Sequence, residues 1–244
     1  MPWRRCCTSP LSSPSRCTSG ASSTLPAIAV KELIVRVLPL LFVLALTGCQ
    51  SAYYAAAEQV GYHKREILVD RVEDAQESQQ EAQEQFSSAL EQMKTLINFD
   101  GGDLEAAYDK VKGEYEDSAD AAADVSSRIN AVADVAEAMF DEWEDELAQY
   151  QSASLRRDSE SQLRDTRRRY DAMLRAMRQA EDKMEPVLKR LKDNELYLKH
   201  NLNARAIGAV GKEFGVLEQE VERVIAEMNR AIAESDKFIQ TLNP

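Results

Sequence analysis

Cysteine is nearly missing from this 244-residue chain, with four residues at positions 6, 7, 17 and 49 and none after Cys49. The region beyond Cys49 therefore has no disulfide framework and no thiolate metal site. Histidine is scarcer still: His63 and His200 are the two present, and neither falls in a His-Glu-x-x-His or nucleophile-elbow pattern. No segment alternates apolar and polar residues with period two, which excludes a half-buried sheet. The apolar stretch Leu33–Leu46 spans 14 residues, short for a helix that must cross a bilayer.

The residues around the end of that stretch carry the most specific signal in the chain. A basic flank (Lys31, Arg36), the apolar run and then Leu46-Thr47-Gly48-Cys49 reproduce the grammar of a bacterial lipoprotein cleavage box. Small Thr47 and Gly48 let the backbone enter a peptidase cleft, and the Cys49 thiol is the nucleophile that takes a thioether-linked diacylglycerol. Residues 30–48 are expected as the signal peptide, with Cys49 the lipidated first residue of the processed chain and the site of later palmitate addition. Residues 1–29 carry Pro, Ser and Cys in no periodic order, so they are expected to be a non-native or extended leader, with Val30 as the true start read from a non-AUG codon. A long natural n-region is the alternative.

Processing changes the charge. The leader holds five of the 30 basic residues and one of the 42 acidic ones, so residues 49–244 carry a net charge of −16. Such a surface repels nucleic acid and anionic headgroups, which excludes a nucleic-acid partner and weighs against a basic membrane-sculpting rod.

Beyond Cys49, apolar spacing alternates four and three, the heptad signature of helices packed along their length. Four seams are legible. The first runs Leu68, Val72, Ala75, Gln79, Ala82, Phe86, Ala89, Met93, Leu96, and the second Ile129, Val132, Ala136, Met139, Trp143, Glu146, Tyr150. The third runs Leu163, Thr166, Tyr170, Met173, Met177, Ala180, Met184, Val187, Leu191, Asn194, Leu198, and the fourth Phe214, Leu217, Val221, Val224, Met228, Ala231, Ser235, Phe238, Leu242. Turns are expected at Asn98–Asp103, where glycines stop one helix and Asp103 caps the next, and at Gln151–Ser154. Gly208–Gly215 is expected as the third turn. Pro186 should kink or divide the third helix, because it lacks a backbone donor and clashes with the preceding turn.

At about 1.5 Å per residue, segments 51–97, 103–150 and 155–207 would each reach roughly 70 to 80 Å and the last about 40 Å. The expected fold is all-α: an elongated antiparallel three- to four-helix coiled-coil bundle formed by residues 49–244, with the fourth helix folded back along one end. Alanines on the seams (Ala75, Ala82, Ala89, Ala136, Ala180) imply a thin core, and a self-paired dimer would bury more apolar area.

Charge is distributed unevenly. Glu116 to Glu146 holds eleven acids against one base, Arg128, and Arg156 to Arg178 holds eight arginines against four acids. A turn at Ser152–Ser154 lays these runs side by side, with internal pairing the default reading. Binding of anionic lipopolysaccharide or cell-wall phosphate by the arginines is the sharper alternative.

The runs Tyr197-Leu198-Lys199-His200-Asn201-Leu202-Asn203-Ala204-Arg205-Ala206-Ile207 and Phe140-Asp141-Glu142-Trp143-Glu144 resemble a domain-of-unknown-function family of helical coiled-coil lipoproteins from Gram-negative bacteria. The likeness covers nearly all of the chain after Cys49 and implies fold and location without an activity. Lipoproteins with Asp after the cysteine are usually kept in the inner membrane; Gln50-Ser51 here implies delivery to the outer membrane, periplasmic face.

Catalytic and cofactor candidates are thin. His200 beside Asn201 and Asn203 reads as a structural histidine near a fraying helix end, with the asparagines satisfying backbone groups. Asp141, Glu142, Glu144, Asp145 and Glu146 point several ways on a helix, so a solvated face outweighs a metal or acid/base site. Asp100-Gly101-Gly102-Asp103 lacks the ligand spacing of a calcium loop. No catalytic, cofactor-binding or metal residue is therefore assigned; Cys49 is the one modified site. Tyr53 and Tyr54 fit headgroup level, and Trp143 fits the seam. The expected function is a structural or adaptor coiled-coil element of the cell envelope, held to the membrane through lipid on Cys49 and engaging an envelope protein or itself. The alternative is an envelope enzyme or ligand carrier with a cleft of convergent polar groups between helices.

Overall fold

Residues 63–242, which the computed structural model describes, form four long helices joined by short turns: α1 (Lys64–Ile97), α2 (Leu104–Leu147), α3 (Ala153–His200) and α4 (Ala204–Leu242). The expectations for residues 1–62, including the signal peptide, Cys49, Tyr53 and Tyr54, lie outside the described residues.

Each helix end follows from local chemistry. Asn98 closes α1, its side-chain amide donating to the Lys94 carbonyl at 2.9 Å, and Gly101 and Gly102 then take φ of +139° and +117°. Those angles favour glycine, which lacks the Cβ that would clash there. Asp103 caps α2 by accepting from the Ala106 N–H at 3.1 Å, and Ser152 caps α3 by accepting from Leu155 N–H at 3.4 Å.

Burial explains the rest. All nine residues of the first seam are buried, as are all of the third except half-buried Thr166 and all of the fourth except half-buried Phe214. On α2 the seam holds from Ile129 to Met139 and then leaves the core: Trp143 is half-buried, and Glu146 and Tyr150 are exposed. The helices form a ring in which α1 packs on α2 and α4, and α3 packs on α2 and α4. Neighbours run antiparallel: Lys64 near the start of α1 meets Glu142 near the end of α2 at 3.0 Å, whereas Gln85 near the end of α1 meets Glu114 near the start of α2 at 2.8 Å.

Two expectations are corrected. The third turn is Asn201–Asn203, not Gly208–Gly215, and α4 starts at Ala204 and runs through all three glycines for 39 residues. Asn203 Oδ1 accepts from the N–H groups of Arg205 and Ala206 at 3.0 and 3.2 Å, a cap stronger than any signal in the glycine stretch. Each glycine costs about 1 kcal/mol relative to Ala, but burial of Ala206, Ile207 and Val210 on the core outweighs it. Gly211 also sits where a Cβ would come within 3.1 Å of Ile97 Cγ2, so a bare backbone suits the close approach of α4 to α1. The result is a four-helix arrangement along the bundle, in place of three helices with a short fourth. Of the two effects expected of Pro186, division of α3 does not occur: the helix continues from Ala153 to His200 with Met184 and Val187 buried on either side of the proline.

The core alternates small and large residues. Ala75, Ala82, Ala122, Ala180 and Ala231 are buried among Phe86, Phe238, Met173, Met177 and Met228. Gln79 is fully buried in this layer, and neither its Oε1 nor its Nε2 has a hydrogen-bond partner among the described residues. An unpaired buried amide costs about 1–3 kcal/mol. Gln79→Leu should therefore stabilise the bundle by roughly that amount in urea denaturation; a loss of stability would show that the amide is satisfied in solution.

Candidate functional site

At the end of the bundle where α1 starts and α4 finishes, the α2–α3 pair continues further. Lys64 is level with Glu142, so the last turn of α2, the 148–152 turn and the start of α3 extend past the start of α1. The seam of α2 leaves the core at the same height.

A cleft of about 990 Å³ opens there. Met139 and Trp143 from α2 and Leu242 from α4 supply its apolar wall; Glu142, Glu146 and Asp165 oppose Lys64, Arg65 and Arg169 around it, with His63 at the start of α1. Lys64 bridges to Glu142 at 3.0 Å across the α1–α2 groove. The Trp143 indole N–H donates to Ser159 Oγ at 2.8 Å, which holds the ring against α3. Below the cleft, Tyr170 packs between Phe140 and Phe238, with ring centroids 5.4 and 6.1 Å away, and Arg167 lies 4.9 Å over the Phe140 ring. Burial first, then the Asp171 carboxylate, pushes the Tyr170 hydroxyl up to about 12. This arrangement can hold a molecule with an apolar body and a charged or polar end. The chain continues beyond the lining residues in both directions, before His63 and after Leu242, outside the described residues.

His63 reaches this cleft, whereas His200 lies exposed at the last residue of α3, at the opposite end. Asn201 donates to the Tyr197 carbonyl at 3.1 Å and Asn203 caps α4, so both serve the backbone. The acidic group divides: Glu142 pairs with Lys64 and Glu144 with Arg167, the latter at 2.5 Å, while Asp141, Asp145 and Glu146 make no ion pair among the described residues. Among those residues no group of three or more His, Cys, Asp or Glu side chains is placed to hold a metal ion. The cleft itself had no sequence signal, because its residues come from the ends of all four helices.

A second polar cluster lies toward the other end. The Tyr108 hydroxyl donates to Glu195 Oε1 at 2.9 Å, and Lys192 Nζ lies 3.1 Å from Oε2. Lys192 also sits 4.6 Å over the Tyr115 ring. Burial pushes the Glu195 carboxyl up, but the Tyr108 hydroxyl and the Lys192 ammonium outweigh it, so the carboxyl titrates below its ordinary range. Burial and then Glu195 push Tyr108 up to about 12. A depressed carboxylate stabilises the fold above the unfolded-state value, about 4.3 for Glu, and that stability is lost as pH falls through the folded value. Glu195→Gln should thus destabilise the bundle at pH 7 and converge with the unsubstituted protein below about pH 4, measured by urea denaturation across pH. A difference that persists in acid would assign Glu195 a packing role only.

A protein family described as "Protein of unknown function (DUF2959)" matches residues 53–242, and the chain belongs to that family. No curated protein matches it.

Proposed function

We propose that this chain is a lipid-anchored envelope protein: an outer-membrane lipoprotein, carried by diacylglycerol on Cys49, whose helical bundle stands in the periplasm as a structural or adaptor element. The observation that carries this reading is the Leu46-Thr47-Gly48-Cys49 box placed directly after the apolar stretch and its basic flank. Gln50-Ser51 favours the outer membrane as the destination. Multiple acyl chains anchor stably where one does not. His63 follows Cys49 by 14 residues, a length that spans at most about 50 Å when fully extended. On this reading the cleft-bearing end of the bundle is the one nearer the membrane, and helices of 34 to 48 residues, about 50 to 70 Å long, carry the opposite turns into the periplasm.

Expression in a Gram-negative host with labelled palmitate tests this. The intact protein should incorporate label and sediment with outer membranes, and Cys49→Ser should abolish both. Label retained in the variant, or none in the parent, would overturn the reading.

The cleft favours a second reading, a carrier or enzyme that takes an amphiphile with an anionic end. Its apolar wall of Met139, Trp143 and Leu242 beside Arg65 and Arg169 suits anilinonaphthalene sulfonate as a probe. Bound probe should receive energy from Trp143 and lose affinity several-fold in Arg169→Glu. Binding indifferent to that substitution would remove the cleft from consideration.

A further inference from the structure

At the turn joining α2 to α3 the apolar seams run on past the covered part of the bundle. Lys64 at the start of α1 is level with Glu142, so the 148–152 turn and the start of α3 stand roughly 10 Å beyond it at about 1.5 Å per residue. Tyr150 continues the apolar spacing of Met139 and Trp143 into the turn, and Leu155 precedes buried Ser159 and Leu163 at four-residue steps on α3. By pattern both belong to the inner faces of their helices, yet Tyr150 is 41% and Leu155 57% exposed. The opposite end differs. There the seams are covered to the last turn, with Leu96 of α1 1% and Leu198 of α3 0% exposed, and exposed Leu196 and Tyr197 fall off the seam.

Charge follows the same boundary. Residues 147–157 hold no acid, in a chain with 42 of them, and end on two arginines. Arg157 is exposed and makes no ion pair among the described residues, whereas Arg156 bridges to Glu160 at 3.0 Å. Asp145, Glu146 and Asp158, all exposed, flank this neutral tip on the bundle side. A tyrosine and a leucine at the tip with arginines behind them are the residue types that settle at a membrane surface, the rings and apolar chains in the headgroup layer and the guanidinium groups on phosphate. The flanking acids make a zwitterionic phospholipid surface the one that suits it, since they repel an anionic one.

We propose that the α2–α3 tip is a second membrane contact, in which Tyr150 and Leu155 enter the headgroup layer of a zwitterionic phospholipid surface and Arg157 reaches lipid phosphate. This contact rests on the lipid-anchor reading, which puts His63, at the same end of the bundle, 14 residues from Cys49. Two apolar side chains do not hold an acidic protein to a membrane by themselves. Tethered through Cys49 they need not, because attachment makes the second contact intramolecular and raises its effective concentration. The consequence is orientation. A single tether leaves the bundle free to swing, whereas tether and tip together fix the α2–α3 edge against the lipid and set the cleft beside that surface.

Quenching by labelled lipid tests the contact on the lipidated chain. Trp3 precedes Cys49 and leaves with the leader, so Trp143→Phe with Tyr150→Trp puts the sole tryptophan at the tip, and Trp143→Phe with Tyr197→Trp puts it at the opposite end. Each protein is incorporated into phosphatidylcholine vesicles carrying a doxyl label next to the headgroup, with helicity followed by circular dichroism. The tip tryptophan should be quenched at least twofold more than the opposite one. Adding Leu155→Asp to the tip variant should bring its quenching down to that of the opposite end, with lipid uptake and helicity unchanged. Equal quenching at the two ends, or quenching indifferent to Leu155→Asp, would overturn the proposal. So would quenching that appears when phosphatidylglycerol is added and not before, which would assign the tip to an anionic surface, or a tip tryptophan shielded without quenching as protein concentration rises, which would assign it to a second copy. A chain that takes up no lipid removes the anchor reading together with this contact, whereas a lipidated chain with an unquenched tip removes the contact alone. A Leu155→Asp variant that loses helicity is replaced by Leu155→Ser, read in the same way.

Discussion

One narrow buried stripe per helix, rich in alanine, is the constraint on which the rest of this bundle depends. A stripe built from Ala75, Ala82, Ala122, Ala180 and Ala231 buries little area per residue, so stability has to come from length and from close approach of the helices. That requirement accounts for α4. A short fourth helix would leave Leu96 and Leu198 at the far end of the bundle facing water, and both are fully or almost fully buried. The extra turns of α4 cover that end even though they contain Gly208, Gly211 and Gly215, and the missing side chain of Gly211 lets α4 come down onto Ile97. Helix propensity and burial compete here, and burial wins.

The same thin core makes polar positions inside it conspicuous. Ser78 and Ser235 satisfy themselves by donating to carbonyls of their own helices, Ala75 and Ala231. Gln79 has no such recourse. Glu195 does, through Tyr108 of α2 and Lys192 of α3, and this cluster links two helices. Farther from that end, Arg190 of α3 grips Glu220 of α4 with two N–H groups at 2.9 and 3.1 Å, which holds the Glu220 carboxyl below its ordinary range. Paired charges such as these line the grooves between helices, where partial exclusion of water strengthens them.

At the other end the two longest helices outrun their neighbours, and the cleft follows from that mismatch. Trp143 would be a core residue, as buried Met139 and Leu242 beside it are, if all four helices ended at one level. With α1 starting at Lys64 it stays half-buried at the wall of an opening, its indole N–H satisfied by Ser159. Both the lipid-anchor reading, which puts this end toward the membrane, and the carrier reading draw on this end of the molecule.

Helical class, two of the three turns, and the first, third and fourth seams are legible in the chain by itself, because heptad spacing and caps such as Asp103 and Ser152 are local properties read over one to three turns; the second seam fails at Trp143, Glu146 and Tyr150, and the buried residues Val111, Ala122, Val125, Ala206, Ile207 and Val210 belong to none of the four. The family resemblance read from Phe140–Glu144 and Tyr197–Ile207 agrees with the match to residues 53–242. The third turn is misplaced when glycine is weighed as a stop, because the effect of glycine there depends on what α1 places beneath it. The relative heights of the helices and the cleft came from tertiary structure alone. Each compares residues on different helices, and the offset between two helices is set by side-chain interlocking across the core, which no single segment encodes.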